Sequence, residues 1–101
     1  MSVLRKASIT VLYFAAASTA TGLTVEEVEL PSHNSDAGAL EPSLKLSELA
    51  GLLAGRHPKT SLASILEQSS WAVDAEMVED PVTVTLRGGE EVAVICPVSG
   101  G

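Results

Sequence analysis

The sequence predicts a single α+β domain in which one main helix covers one face of a mixed five-stranded sheet. Short runs of alternating apolar and polar residues, typical of half-buried strands, occur near both ends of the chain. A leucine-rich segment with helical spacing lies between them. The 101 residues are 46% hydrophobic, which suits one modest core but not two.

The first strand is predicted over residues 8–14, because Ile, Thr, Val, Tyr and Phe fit a pleated, half-buried surface. Residues 1–7 before it are expected to form a flexible leader. The small residues that follow, 15–22, are expected to hold a helical turn that ends at Gly22. The folded domain is therefore expected to span residues 8–95.

The second strand is predicted over residues 24–30, where apolar and acidic residues alternate. Its glutamates are interpreted as a solvated strand face: Glu26, Glu27 and Glu29. Residues 31–43 are small, polar and flanked by prolines, so they are predicted to form a long, mobile loop.

The main helix is predicted from a stripe of leucines at helical spacing: Leu46, Leu49, Leu52 and Leu53. Ser43 is its predicted N-cap, because a hydroxyl can accept from the free N–H groups of the first turn. Pro58 ends the helix, since the residue before a proline is pushed out of the α region. A short second helix is predicted over residues 62–67.

Three further strands are predicted in the last third of the chain, beginning at Trp71, over residues 82–86 and over residues 91–95. Residues 87–90 form the turn before the last strand. An initial hairpin, a crossing helix and a strand at each chain end fit the β-grasp, or ubiquitin-like, arrangement. In this arrangement the first and last strands lie side by side.

The chain ends in a tail, residues 96–101, which follows the last strand directly. Gly100 and Gly101 lack a Cβ, so they can pass through a channel too narrow for other residues. Six extended residues reach roughly 20 Å. We therefore expect the chemistry of this chain to occur at its terminal carboxylate while a partner holds it.

Composition narrows the classes of function. The net charge of −7 argues against nucleic acid, whose phosphates need a basic surface, and favours a partner with a basic docking surface. No segment approaches the roughly 20 apolar residues of a membrane-spanning helix. His33 and His57 have no neighbours at metal-ligand spacing, so no metal site is expected. The single cysteine, Cys96, is consistent with a reducing compartment.

Four segments carry a resemblance to a known family: residues 11–15 (VLYFA) with Gly22, residues 49–58 (LAGLLAGRHP), residues 71–73 (WAV) and residues 89–101 (GEEVAVICPVSGG). In this order the chain resembles the small, sulfur-carrier subunits of molybdopterin synthase over roughly residues 8–30 and 44–101. Cys96 departs from the family, where proline is common. It is interpreted as a small packing residue, with a redox role as the alternative.

The resemblance implies that Gly101 is adenylated with ATP by a ubiquitin-activating-type adenylyltransferase and sulfurtransferase, and then becomes a thiocarboxylate. It implies no tightly bound cofactor. The tail, with Pro97, Ser99 and Gly100, then inserts into the large catalytic subunit. Sulfur passes to a cyclic pyranopterin monophosphate and forms the dithiolene of molybdopterin.

The same resemblance implies a cytosolic heterotetramer of two small and two large subunits, with the catalytic residues on the large one. Ile95 and Met77 correspond to positions that pack on the large subunit, and ordinary core packing is the alternative for both.

Three other functions fit parts of the sequence. A ubiquitin-related modifier, which carries sulfur for tRNA thiolation or conjugates to proteins, also ends in Gly-Gly. A secreted binding domain would read residues 5–20 as a cleaved leader, but these residues compose a strand better than a signal sequence. A thiamine-pathway sulfur carrier would be shorter and lack the long middle segment.

Overall fold

The structure, a computed structural model, is described over residues 7–34 and 40–96. Within these ranges the strands are β1 (Ser8–Tyr13), β2 (Val25–Glu29), β3 (Ser32–Asn34), β4 (Leu40–Pro42), β5 (Leu44–Lys45), β6 (Ser70–Val73), β7 (Glu76–Val78), β8 (Thr85–Leu86) and β9 (Glu91–Ile95). The helices are α1 (Ala15–Thr21), α2 (Leu46–Arg56) and α3 (Leu62–Glu67), with a 3-10 turn at Pro81–Thr83. Most of the predicted leader and the tail beyond Cys96 lie outside the described residues.

Five strands form the main sheet in the order β2-β1-β9-β6-β7. β1 pairs antiparallel with β2 and parallel with β9, so the first and last strands lie side by side, as predicted. β6 pairs antiparallel with the other edge of β9. The parallel register aligns Val11 with Val92 and Tyr13 with Val94. This mixed sheet, covered by helices on one face, is the predicted α+β, β-grasp arrangement.

The core lies between one face of the sheet and the helices. Along β1, buried residues alternate with partly buried ones, as the period of two in a strand requires. α2 supplies Leu46, Leu49 and Leu53, which are fully buried and spaced three and four residues apart. Burying each such side chain contributes about 1.5–3 kcal/mol. No helix in the described part of the chain is long and apolar enough to span a membrane.

The start of α2 differs from the prediction. Its N-cap position is occupied by Lys45 and not by Ser43. The reason is that β5 pairs with β8 and keeps the chain extended up to Lys45. The N–H of Leu46 donates to the carbonyl oxygen of Val84 at 2.9 Å. A backbone acceptor therefore serves one of the first N–H groups of the helix, which have no partner within the helix.

The predicted strand over residues 82–86 is wrong for most of its length. Pro81–Thr83 forms a 3-10 turn, and only β8 is a strand, paired with β5 outside the main sheet. Asp80 stabilises the turn, since its Oδ1 accepts from the N–H of Val82 at 3.1 Å. An aspartate followed by proline favours such a turn, and this local preference outweighs the alternating valines and threonines.

The fifth strand of the main sheet is β7, which was not predicted. It pairs antiparallel with β6 through a tight hairpin. Asp74 and Ala75, in the turn, have φ angles of 50° and 71°. A two-residue hairpin of this kind requires positive φ at both positions, which Asn-Gly or Asp-Gly usually supplies. Alanine is unusual there, so the turn leaves only a weak signal in the sequence.

The segment 31–43, predicted as a loop, is strand at both of its ends. β3 and β4 pair antiparallel, with Ser32 opposite Pro42. The N–H of Ser43 donates to the carbonyl oxygen of Pro31 at 3.0 Å and closes the base of this hairpin. Residues 35–39 lie outside the described residues, and mobility of the segment stays a prediction. Backbone hydrogen bonds pair these two strands, so the polar side chains of the segment give little indication of them.

Two glycine substitutions should have opposite effects on stability. Gly51 lies in α2, and a Cβ added to it would meet nothing within 4 Å, so Gly51→Ala should raise the free energy of unfolding by about 0.5–1 kcal/mol. Gly88 has a φ of +120°, and a Cβ there would lie 2.6 Å from the Cβ of Ala7. Gly88→Ala should therefore lower the free energy of unfolding by about 1–2 kcal/mol or more.

Urea unfolding of the two variants tests this. Gly89→Ala is the matched control, because its φ is +85° but nothing lies within 4 Å of the added Cβ. It should be destabilised less than Gly88→Ala. Equal losses at both glycines would show that the contact with Ala7 is unimportant.

Candidate docking surface at the root of the C-terminal tail

β9 presents two different faces. Val92 and Val94 are 0% exposed and point into the core, whereas Ile95 is 37% exposed. Ala93, on the same face as Ile95, is partly buried. This division follows from strand alternation, which places successive side chains on opposite faces of a sheet. We refer to the face of the sheet that carries Ala93 and Ile95, opposite the helix-covered core face, as the open face.

An apolar row crosses the open face from one edge of the sheet to the other. Hydrogen-bonded registers place its members opposite one another on successive strands: Val25, Leu12, Ala93, Ala72 and Met77. With strands about 4.8 Å apart, the row is roughly 19 Å long. Met77 is 62% exposed and Val25 is 50% exposed. Leu12 and Ala93 are partly buried and Ala72 is buried, so the exposed apolar surface of the row lies at its two ends. Exposed apolar groups gathered on one face are typical of a site of protein contact.

The two predicted interface residues therefore share one face. Met77 ends the apolar row on β7, and Ile95 lies two residues beyond Ala93 along β9. Ile95 is also the last residue of its strand, so it stands where the tail leaves the sheet. The structure brings these residues together as a single docking surface requires, while their contact with a partner stays a prediction.

The root of the tail is tied to the junction between β1 and α1. The thiol of Cys96 donates to the carbonyl oxygen of Phe14 at 3.3 Å, and Cys96 packs against the core. The same oxygen accepts from the N–H of Ala17 at 3.1 Å. Phe14 itself is 50% exposed. The other predicted tail residues, Pro97, Ser99, Gly100 and Gly101, lie outside the described residues.

A largely buried carboxylate links the end of α2 to the sheet. Glu26 Oε1 accepts from the hydroxyl of Tyr13 at 2.7 Å and lies 2.9 Å from Nε2 of His57. Its Oε2 accepts from Nε of Arg56 at 2.8 Å. The side chain of Glu26 is only 11% exposed. These four residues form what we call the Glu26 cluster, and they lie on β1, on β2, at the last residue of α2 and at the residue that follows it.

Burial and hydrogen bonding oppose each other at Glu26. Burial alone would raise the pKa of its carboxyl group, but the hydrogen bonds from His57, Tyr13 and Arg56 stabilise the charged form and leave the pKa below its usual value. For Tyr13, burial raises the pKa and the bond to Glu26 raises it further. At neutral pH the Tyr13 hydroxyl therefore stays protonated and donates to the ionised Glu26 carboxylate.

Glu26 does not lie on a solvated strand face, and that prediction was wrong. Glu26 shares the period-two phase of Val28, which is fully buried, so it points toward α2. Glu27 and Glu29, in the other phase, are exposed as predicted. The alternation along the strand therefore indicated that Glu26 points inward. This indication was overlooked because glutamate is almost never buried unless it is paired.

The described part of the chain shows no metal centre. Within residues 7–34 and 40–96, no group of three or more His, Cys, Asp or Glu residues is arranged to hold a metal ion.

A protein-family model described as the ThiS family matches residues 11–101 of the chain. The chain belongs to this family. Two relatives of this ThiS-family chain are named molybdopterin synthase sulfur carrier subunit. The one from Mycosarcoma maydis is 35% identical over 96 residues, covering 93% of this chain and 94% of that protein. The one from Homo sapiens is 36% identical over 95 residues, covering 92% and 93%. These relatives confirm the resemblance predicted from the sequence.

Solved structures agree with the fold of this ThiS-family chain. Small archaeal modifier protein 1 from Methanosarcina acetivorans matches with a TM-score of 0.66 at 15% identity, over 96% of this chain and 99% of that one. A chain from the complex of subunits 1 and 2 of the molybdopterin-converting factor of Helicobacter pylori matches with a TM-score of 0.57 at 17% identity, over 93% and 99%. At these identities the similarity is one of fold, and it confirms the ubiquitin-like β-grasp.

The Glu26 cluster predicts how stability depends on pH. Because the folded pKa of Glu26 is lowered, its contribution is complete above the ordinary carboxyl pKa of about 4.3 and is lost as the pH falls through the folded value. Glu26→Gln should lower the free energy of unfolding at pH 7 by about 1–3 kcal/mol. Below about pH 4 the difference from the wild type should shrink.

Urea unfolding at a series of pH values from acid to neutral measures this difference. Glu29→Gln is the control, because Glu29 lies on the same strand but is exposed. Its unfolding curve should follow the wild type at every pH. If Glu26→Gln ran parallel to the wild type from neutral to acid pH, the cluster would not hold an ionised carboxylate.

Proposed function

We propose that this chain is the sulfur-carrier subunit of a molybdopterin synthase and that its reactive group is the carboxylate of Gly101. The observation that carries the proposal is the similarity to two relatives of that name, at 35% and 36% identity, over nearly the whole chain. The terminal Gly-Gly directly after the last strand supports it. The chain then acts in the cytosol as a carrier, without catalytic residues of its own.

The proposed chemistry makes a poor electrophile reactive. A carboxylate resists attack, so an activating enzyme joins the Gly101 carboxylate to AMP from ATP and releases pyrophosphate. A persulfide sulfur then attacks the acyl carbon, and AMP leaves. A thiol cleaves the resulting acyl disulfide, which leaves the thiocarboxylate on the carrier and a disulfide on the donor. Positioning and acid–base groups come from the partners, so the carrier needs only to present its terminus.

The position of β9 supports the presenting role. β9 lies at the centre of the main sheet between β1 and β6, so the tail starts from a fixed strand. Cys96 is held at the β1–α1 junction by its bond to Phe14. The remaining residues of the tail, fully extended, would reach roughly 15–20 Å beyond this point. A rigid root with a slender end suits delivery of a carboxylate into a partner.

The proposed docking partner is the large catalytic subunit, which would cover the open face and receive Pro97, Ser99 and Gly100 in its channel. The apolar row and Ile95 supply the apolar centre that such an interface needs. The Helicobacter pylori protein with the same fold was solved as a complex of its subunits 1 and 2. By extension, we propose a heterotetramer of two small and two large subunits, and a separate activating enzyme that uses ATP.

The terminus tests the chemical part of the proposal. Deleting Gly101, or adding one alanine after it, should abolish thiocarboxylate formation, because the reactive carboxylate is removed or displaced. The circular dichroism spectrum should not change, since the last strand of the sheet ends at Ile95. Intact mass measures sulfur loading in a reaction with the activating enzyme, ATP and a sulfur donor. Sulfur loading of the extended variant at the wild-type rate would exclude Gly101 as the reactive residue.

Two neighbouring residues test the docking part. Ile95→Asp should leave the isolated protein folded but abolish binding to the large subunit, because an unpaired carboxylate would be buried in the interface. Val94→Asp should unfold the protein, because Val94 is 0% exposed in the core. Thermal melts and binding measured by calorimetry separate the two effects. Normal binding by Ile95→Asp would place the interface elsewhere.

A further inference from the structure

The open face has an acidic end. On this face Thr10 is paired with Glu27 on one side and with Glu91 on the other, and Ser8 is paired with Glu29. All three glutamates are exposed. They lie on the same face as the apolar row. Glu91 precedes Ala93 by two residues on β9, and Glu27 and Glu29 follow Val25 by two and four residues on the antiparallel strand β2. We refer to Glu27, Glu29 and Glu91 as the acidic end.

No basic group of the main sheet compensates this charge. In the described part of the chain, none of β1, β2, β6, β7 and β9 contains a lysine, an arginine or a histidine. The ion pairs formed by described residues both use Glu26, which points to the opposite side of the sheet. Three carboxylates therefore stand together on the open face, in a protein whose net charge is −7.

The acidic end and the tail root lie at opposite ends of the open face. β1 and β9 are parallel, and both run from the acidic end, past the apolar row, toward the root of the tail at Ile95. Each two-residue step along a strand advances about 6.6 Å. A partner that accepts the tail and covers the apolar row thus meets the acidic end on the side away from its tail channel.

We propose that the partner protein which receives the tail carries a cluster of lysine and arginine side chains opposite the acidic end, and that this charge pairing orients the carrier as it docks. The inference rests on the proposed function and adds the chemistry and polarity of the docking surface. A partner without basic groups there would make no charge pairs with three carboxylates for which the described strands supply no cation. A second copy of this chain would bring further carboxylates and not cations, so it is a poor occupant.

Charge at this position should act mainly on the rate of association. Charges at the rim of an interface steer the encounter and change the association rate constant and its dependence on salt. At low salt this steering can accelerate association by roughly 10–1,000-fold. At 0.5 M salt the Debye length is only about 4 Å, and the effect should largely disappear. The apolar row, by contrast, should govern how slowly the complex dissociates.

The experiment compares two triple variants with equal net charge. E27Q/E29Q/E91Q removes the acidic end. E48Q/E67Q/E79Q removes three exposed glutamates that do not belong to the acidic end. Each changes the net charge from −7 by three units to −4. Stopped-flow association with the large subunit of the synthase is measured at 50 mM and 500 mM NaCl, and thermal melts are recorded for both.

The acidic-end variant should associate about tenfold more slowly than the wild type at 50 mM NaCl and within about twofold of it at 500 mM. The control variant should stay within about twofold at both concentrations. Equal slowing of both variants would overturn the proposal, because net charge alone would then explain it. An unchanged rate for the acidic-end variant would also overturn it. A lower melting temperature of the acidic-end variant would overturn the proposal as well, because the carboxylates would then stabilise the fold.

The wild type separates this inference from the proposed function. If the wild type binds the large subunit and binding needs Ile95, but its association rate is the same at both salt concentrations, the charge pairing is wrong and the proposed function stands. If the wild type does not bind the large subunit at all, the proposed function fails and the inference fails with it.

Discussion

The parallel pairing of β1 with β9 is the contact on which the rest of the structure depends. It joins two strands from opposite ends of the sequence at the centre of the sheet, where β2 and β6 then flank them. Such strands pair only after a large loop has closed, and this cost must be offset by the apolar contacts that the pairing makes possible. The fully buried Val11, Val92 and Val94 supply such contacts. Because β9 is paired on both edges, the tail of the proposed carrier starts from a fixed strand and ends in two residues without side chains.

The open face and the Glu26 cluster show how one sheet serves two different purposes. The helix-covered side holds a carboxylate with three hydrogen-bond partners, which fixes the end of α2 against β1 and β2. The open face, over the residues that the structure describes, has exposed carboxylates with no basic partner on the sheet and an apolar row with exposed ends. Satisfied polar groups stabilise a fold, whereas unpaired charges beside exposed apolar groups are characteristic of a surface that a partner completes.

Periodicity explains what could be predicted from the sequence and what could not. The alternation along β9 placed Val94 inside and Ile95 outside, and the leucine spacing located α2, because both patterns report burial directly. β7 and the β3–β4 hairpin were missed because they depend on backbone pairing, and the turn at Asp74 and Ala75 uses residues that rarely adopt positive φ. Glu26 was misplaced because its burial depends on Arg56 and His57, which the sequence separates from it widely. The residues of the tail beyond Cys96 lie outside the described residues, so its role stays a prediction from the sequence.

The common direction of β1 and β9 also decides which end of the main sheet an attached group occupies. The N–H of Gly89 donates to the carbonyl oxygen of Ser8 at 2.8 Å, so the start of β1 lies beside the turn that precedes β9. Ile95 lies at the other end of that strand, about 13–16 Å away. An affinity tag or a fluorescent fusion attached ahead of Ser8 is therefore joined on the side remote from the tail, whereas a dye on the Cys96 thiol would sit at its root. Immobilisation through the N-terminal side therefore keeps the support away from the tail root but places it beside the acidic end, which the proposed partner faces.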